Sequence, residues 1–373
     1  MSTATTGRFS ADGLPVLIGS VPLTSHREAL DWILEATPEI PLWPQLPVNP
    51  LERMMPQFSE GLPCITEENP AEPGGRIVFD TGRPGFEEEM LAFYEEYLAA
   101  VENPELPPDS RFRNSRERAA GLYLLAGVLP GLEGLVAVKG QVTGPFTMLT
   151  GIKDRQGRAG YFDDTIRDMV IKAMAMKAAW QVRFLAGAAA RPVLMFIDEP
   201  ALAGLGSSAF ISVSTDEIRE MINEVADAIH QAGGLAGIHV CANTDWGVLL
   251  ASRIDILSFD AYGFFDRLAP LRDDVAGYLD RGSIIAWGGI PTSRAEDIEK
   301  EDTDSLAALW KRQARTLTGP DRDEAALLRQ TLITPSCGTG SLSPELAHRV
   351  LSLTRSVSTT LREELLGQET RQR

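Results

Sequence analysis

The sequence predicts an α/β protein whose parallel sheet is rolled into a single barrel. Three observations carry this. Short apolar, β-branched runs alternate with long amphipathic stretches. The runs are apolar throughout, as in strands buried on both faces. Chemically active side chains recur where the runs end. Together they describe one TIM (β/α)8 barrel, in which reactive residues gather at the C-terminal ends of the strands. The 373 residues match the length of one such unit.

Residues 1–14 are polar and predict a flexible N-terminus, and 15–366 the barrel. The first strand is PVLIGS (15–20). Residues 40–135 read as irregular, with PLWPQLPVNPLERMMPQF (41–58) a loop and short helix over one barrel end. IVFD (77–80) is a poor candidate for an eighth strand. The remaining strands are LVAVKG (135–140), PVLMFID (192–198), LAGIHV (235–240), IDILSFD (254–260), SIIAWGG (283–289) and TLITPS (331–336). Helical patterns cover 162–189, 215–233, opened by Thr215 as N-cap, and 344–365; 367–373 is a polar tail. Strand–helix alternation implies right-handed βαβ units. An open doubly wound sheet is the alternative, and no glycine-rich dinucleotide loop follows the first strand to support it.

Composition narrows the function. With 52 acidic against 35 basic residues, the net charge is −17. That field repels phosphate backbones and anionic lipid, so neither nucleic acid nor a membrane surface is an expected partner. Cys64, Cys241 and Cys337 are too few, and odd in number, for a disulfide framework. The N-terminus has no apolar signal core, and no uncharged apolar run reaches the roughly 18 residues of a membrane span. The expectation is a cytoplasmic protein. A core this large needs no structural metal, so a metal here would serve chemistry.

The polar residues at strand ends are Ser20, Lys139 with Gln141, Asp198 with Glu199, His239 with Cys241, Asp260 and Cys337. On a barrel these share one rim. His239 and Cys241 alternate along a strand and so project together. Imidazole and thiolate are zinc ligands, although H-x-C alone also describes a buried histidine beside an inert cysteine. Cys337, in TPSCGTGS, adds a third soft donor after another strand. Asp260 can complete a tetrahedron or pair with a rim cation. Three protein ligands and an open position is the layout of catalytic zinc, and a cysteine-rich shell suits holding a thiolate better than making hydroxide. Cys64, His26, His230 and His348 read as bystanders.

At this point motifs become recognisable. FIDEPAL (196–202) resembles the IDEPAL signature of the cobalamin-independent methionine synthase family, and KGQVTGPFTML (139–149) its KGMLTGPVTIL. LIGSVP (17–22) is similar to its IGSFP, while HVC, LSFDAY (257–262) and TPSCG (334–338) follow the order of its zinc segments. The resemblance runs from Ile18 to about Ser341 and corresponds to that enzyme's catalytic C-terminal half. The wider superfamily includes uroporphyrinogen decarboxylase. It implies a TIM barrel in which His239, Cys241 and Cys337 bind Zn2+, with Asp260 where the family has Glu. It further implies that Asp198 binds the amino group of a small-molecule thiol such as homocysteine, supported by Ile18 and Ser20. Lys139 and Gln141 are placed in the same substrate site.

Two departures bear on the methyl donor. Thr150 and Gly151 stand where the family has a Trp that stacks on folate, and IAWGGIPTS (285–293) lacks the family's histidine. A tetrahydrofolate nitrogen leaves only when protonated, whereas cobalt(I) leaves unprotonated. The expected donor is therefore methylcobalamin carried by a corrinoid protein partner, in preference to methyltetrahydrofolate. Two other readings use the same residues: a uroporphyrinogen decarboxylase-like enzyme, for which Arg8, Arg27 and Arg53 are poorly placed, and a non-catalytic zinc- or thiol-binding protein. A zinc hydrolase would want His and carboxylate ligands instead.

Overall fold

The computed structural model describes residues 9–69, 75–205, 210–318 and 323–367. The expected flexible N-terminus and polar tail therefore lie partly outside the described residues. Within 9–14, Ala11 and Leu14 are buried.

Among the described residues eight strands form, but not as a closed eight-stranded barrel. β1 (Ile65–Glu68) and β2 (Arg76–Phe79) pair antiparallel as a separate hairpin. β3 (Val138–Thr143), β4 (Val193–Asp198), β5 (Leu235–Val240), β6 (Ile256–Phe259), β7 (Ile284–Ile290) and β8 (Thr331–Pro335) form one parallel sheet in chain order, a half-barrel. This corrects the expected TIM (β/α)8 barrel. The run 15–20 is no strand: Pro15 meets the sheet through a single bridge to Ile333, and Ser20 bridges Gln45, which lies outside the sheet. At the other edge Leu42 bridges Lys139. The physical reason is proline. Pro15, Pro22, Pro41, Pro44 and Pro47 remove backbone donors at short intervals, so no continuous ladder can form. The weak candidate 77–80 joins the hairpin and not the main sheet.

β3 lies three residues later than its expected span of 135–140, because Leu135 and Val136 are spent leading into the sheet: Val136 and Ala137 both donate to the Glu39 carbonyl. Lys139 and Gln141 consequently sit inside the strand, at 1% and 0% exposure, and not on its rim.

The inner face of the half-barrel is filled by Leu194, Phe196, Ile256, Ile284, Ala286 and Leu332, with Ala11, Val16 and Ile40 packed against them. Its outer face carries the helices. Asp164–Ala189 covers β3 and β4. Asp163 caps it by accepting from the N–H groups of Thr165 and Ile166, and Ala190 ends it in the left-handed region. Helix Thr215–Gln231 buries Ile218, Met221, Ile222, Val225, Ala226 and Ile229, one helical face. Ser214, not Thr215, is its N-cap, in a reciprocal capping box with Glu217. Pro344–Leu365 closes the described chain. No helix among the described residues is long and apolar enough to cross a membrane.

Region 40–135 is more ordered than expected. Besides the hairpin it holds helices Met54–Ser59, Phe86–Glu102 and Ala120–Val128. Phe86–Glu102 buries Met90, Phe93 and Ala100 but exposes Leu91 and Leu98, which blurs its period in the sequence.

His26 pairs with Glu52 and His230 with Asp255, each at 2.7 Å, and His348 meets Trp32 edge-on. The Asp255 carboxylate raises the His230 pKa. Stability from this pair is complete below the ordinary histidine value of 6.5 and is lost as pH rises through the raised folded-state value. His230→Gln should therefore cost ~0.5–1 kcal/mol at about pH 6 and nothing at about pH 9, read by urea unfolding at both.

Candidate metal centre

The centre is built where β5 and β8 end. His239 is the next-to-last residue of β5 and Cys241 follows the strand, so both face inward. β6 lies in register alongside, and its Ser258 oxygen is 2.9 Å from His239 Nδ1. That contact orients the ring and leaves Nε2 directed elsewhere. His239 is 4% exposed, and its Nε2 has no hydrogen-bond partner among the described residues. A buried polar atom left so is costly unless something binds it. Cys337 arrives from the loop after β8. One donor atom from each of His239, Cys241 and Cys337 lies within 4.8 Å of the others. Tetrahedral zinc, with bonds of about 2.0–2.3 Å, needs donors roughly 3.3–3.8 Å apart, so small side-chain adjustments suffice. The three residues fit the metal.

The electrostatics agree. Cys337 hydrogen-bonds Cys241, and with help from His239 this pulls the Cys241 thiol down to about 4. The resulting negative charge, with burial, drives Cys337 upward. The bond between the two sulfurs thus favours ionisation of one of them, the form a metal binds.

The Cys337 loop is pinned by Ser20. The Ser20 carbonyl accepts from Thr339 N–H at 2.9 Å and Thr339 Oγ1 at 3.0 Å, and its Oγ from Gly340 N–H at 3.3 Å. A Cβ at Gly338 would lie 2.2 Å from Ser20 Oγ, so only glycine allows this approach.

Asp198 ends β4, opposite His239 in the register. It is 6% exposed, and its buried Oδ1 has no partner among the described residues. Burial raises its pKa, opposed by Lys139 and His239. Lys139 donates to the Ile18 carbonyl and lies 4.7 Å from the Phe196 ring centroid. Burial pulls its pKa down to about 8 against the attraction of Asp198. Gln141 donates to the Trp43 carbonyl at 3.0 Å. Asp198 thus lies close enough to feel the charges of His239, Cys241 and Lys139, and Ile18 and Ser20 line one small cavity with Cys337, whereas Gln141 is tied to Trp43.

Asp260 stands outside the trio. Its Oδ1 accepts from Gly263 N–H at 2.7 Å, capping helix Ala261–Leu268. Burial, with the Cys241 charge adding, raises its pKa to about 6. Asp260→Asn preserves a good cap and should leave zinc stoichiometry unchanged by elemental analysis; a lost zinc would make the carboxylate a ligand. Cys64 is remote from the centre, with its N–H on Glu89 and its thiol pushed by burial up to about 12.

Two supporting residues had no role in the sequence reading. Ser258 is the neighbour that orients His239, and only strand register reveals it. Glu199, fully buried, accepts from Phe146 N–H, Thr147 N–H and Thr147 Oγ1 at 2.9, 2.8 and 2.6 Å. It thereby caps helix Pro145–Gly151 and joins the motifs FIDEPAL and TGPFTML. A Cβ at Gly144 would overlap it, 2.1 Å from Glu199 Cδ. Pairing of the two motifs was the signal available.

No protein-family model matches the chain, and no curated protein matches it. Among solved structures it is similar to a protein provisionally assigned as a vitamin-B12-independent methionine synthase from Listeria monocytogenes. That likeness has 16% identity and a TM-score of 0.42, over 64% of this chain and 69% of the other. It is also similar to the GH20 catalytic modules of a pneumococcal exo-β-D-N-acetylglucosaminidase, at 8% identity and a TM-score of 0.42, over 93% of this chain and 84% of the other. Likeness of this extent, shared by two unrelated activities, carries no chemistry over to this chain.

Proposed function

We propose that the protein transfers a methyl group to the sulfur of a small amino-acid thiol, homocysteine first, with zinc held by His239, Cys241 and Cys337. The observation that carries this is the convergence of one imidazole nitrogen without a partner and two sulfurs at the strand ends. Zinc, when bound, supplies a Lewis acid that keeps a coordinated thiol ionised at neutral pH. Ser258 holds the imidazole. The buried Asp198 oxygen lacks a donor, and an ammonium group supplies one. Ile18 and Ser20 bound the same space. Lys139 and Gln141 stand behind them.

We place a methylcorrinoid on a partner protein as the donor. Thr150 bonds back to the Phe146 and Thr147 carbonyls within its own helix. A Cβ at Gly151 would lie 2.5 Å from Met55 Cε, so Met55 takes the room a stacking aromatic would use. After β7, Thr292 is tied to Ser336 at 2.8 Å, where the family has its proton donor nearby. A carbon–sulfur bond forms as the cobalt–carbon bond breaks; the bonding pair stays on cobalt, and the thiol proton leaves to water.

The test compares methyl transfer to homocysteine from methylcobalamin and from methyltetrahydrofolate. Product with methylcobalamin alone is the expected result. Product with the folate alone overturns the donor, and product with neither overturns the acceptor chemistry.

A further inference from the structure

We infer that Lys139 is a positioning residue for the metal centre, holding Cys337 in place through Ile18, Ser20 and the backbone at 339–340. The inference rests on the zinc reading above. Lys139 is 1% exposed, so it reaches the site through what it holds. Its Nζ donates to the Ile18 carbonyl. Two residues on, the Ser20 carbonyl and hydroxyl take the Thr339 and Gly340 donors, and these flank the loop that carries Cys337. The 15–20 segment needs such a strut. It has no regular ladder, only the bridges at Pro15 and Ser20, and Ile18 lies between them.

Gly19 shows how closely the strut is fitted. A Cβ there would lie 2.5 Å from Gln45 Oε1 and 3.0 Å from Gln141 Nε2, so the segment is pressed between Gln45 of the 41–47 segment and Gln141 of β3. Packing alone does not account for a lysine here. A methionine fills similar volume without burying an ammonium, but it would leave the Ile18 carbonyl without its donor and the buried Asp198 without the opposite charge that faces it. What the ammonium adds is a directed bond to the Ile18 carbonyl, beside its attraction to Asp198.

The test is Lys139→Met in the full chain. Zinc affinity is read by chelator competition, thiolate-to-metal absorption with cobalt(II), and folding by urea unfolding. The expected variant still folds, though at a lower urea midpoint because Asp198 loses its facing charge, binds zinc ~10-fold or more weakly, and shows a weakened thiolate band. A folded variant with wild-type zinc affinity overturns the inference, as does one that only loses stability. Should Lys139→Met fail to fold, the double variant Ser20→Ala, Thr339→Val removes both side-chain bonds of the next link and carries the same test: weaker zinc binding supports the strut, and unchanged binding overturns it. A wild-type chain that takes up no zinc overturns the proposed function itself, and the strut falls with it.

Discussion

Cys241→Ser is expected to purify with less than a tenth of the zinc of the wild-type chain and to transfer no methyl group. The wild-type expectation is about one zinc per chain when no chelator is used. Cys241 is one of two sulfurs whose mutual hydrogen bond favours ionisation of the pair, so its loss removes a soft donor and that support. A serine hydroxyl stays protonated at neutral pH and is a harder, weaker ligand. The affinity loss should reach 100-fold or more, roughly 2.8 kcal/mol. Elemental analysis reads the metal, and far-ultraviolet circular dichroism shows whether the fold is retained, since a core of this size stands without it. A folded Cys241→Ser chain with full zinc content would show that the metal, if any, sits elsewhere.

Glu199→Ala is expected to be the most destabilising single substitution near the site without removing a ligand. Its carboxylate takes three donors in a fully buried position. Truncation leaves the Phe146 and Thr147 amides without acceptors, together with the Thr147 hydroxyl. Each orphaned buried donor costs ~1–3 kcal/mol, so the total should be about 4 kcal/mol. At roughly 2.1 cal/mol/K of unfolding entropy per residue, that lowers Tm by about 5 °C. Glu199→Gln should fall between, because its carbonyl oxygen still accepts while its amide nitrogen turns a donor toward a donor. Calorimetry of the two variants ranks them. Equal melting of Glu199→Ala and wild type would mean that helix Pro145–Gly151 is held by packing alone.

The three donor residues were legible in the sequence because strand alternation and strand-end placement are local rules. H-x-C on a run that is apolar up to His239 puts two side chains on one face, and a cysteine after a later parallel strand comes back to the same end. The long helices were legible for the same kind of reason: 215–231 and 344–365 carry caps and a one-sided apolar period, and 164–189, though buried all round over 173–182, opens on the Asp163 cap and runs without a proline. The position of β3 was not, because the strand that forms, VKGQVT (138–143), is more polar than the LVA run leading into it, and its pairing to Val193–Asp198 chooses the register. Asp260 was ambiguous as ligand or ion-pair partner. The structure gives it a helix to cap, a role set by where the chain turns after β6.

The amino-acid sequence alone determined the parallel α/β character, the order of the sheet strands from β3 to β8, and the soft-donor chemistry of His239, Cys241 and Cys337. Each of these depends on side-chain type and short-range spacing. Whether the sheet closes into eight strands was decided only in three dimensions, where the proline-rich segments 15–22 and 41–47 approach its two edges yet make single bridges. So were the Ser258 contact that orients His239, the Glu199 cap that joins two motifs, and the Lys139 tether to Ile18. These link residues 19, 53 and 121 positions apart, and no local pattern specifies which distant carbonyl or amide a buried polar group will meet.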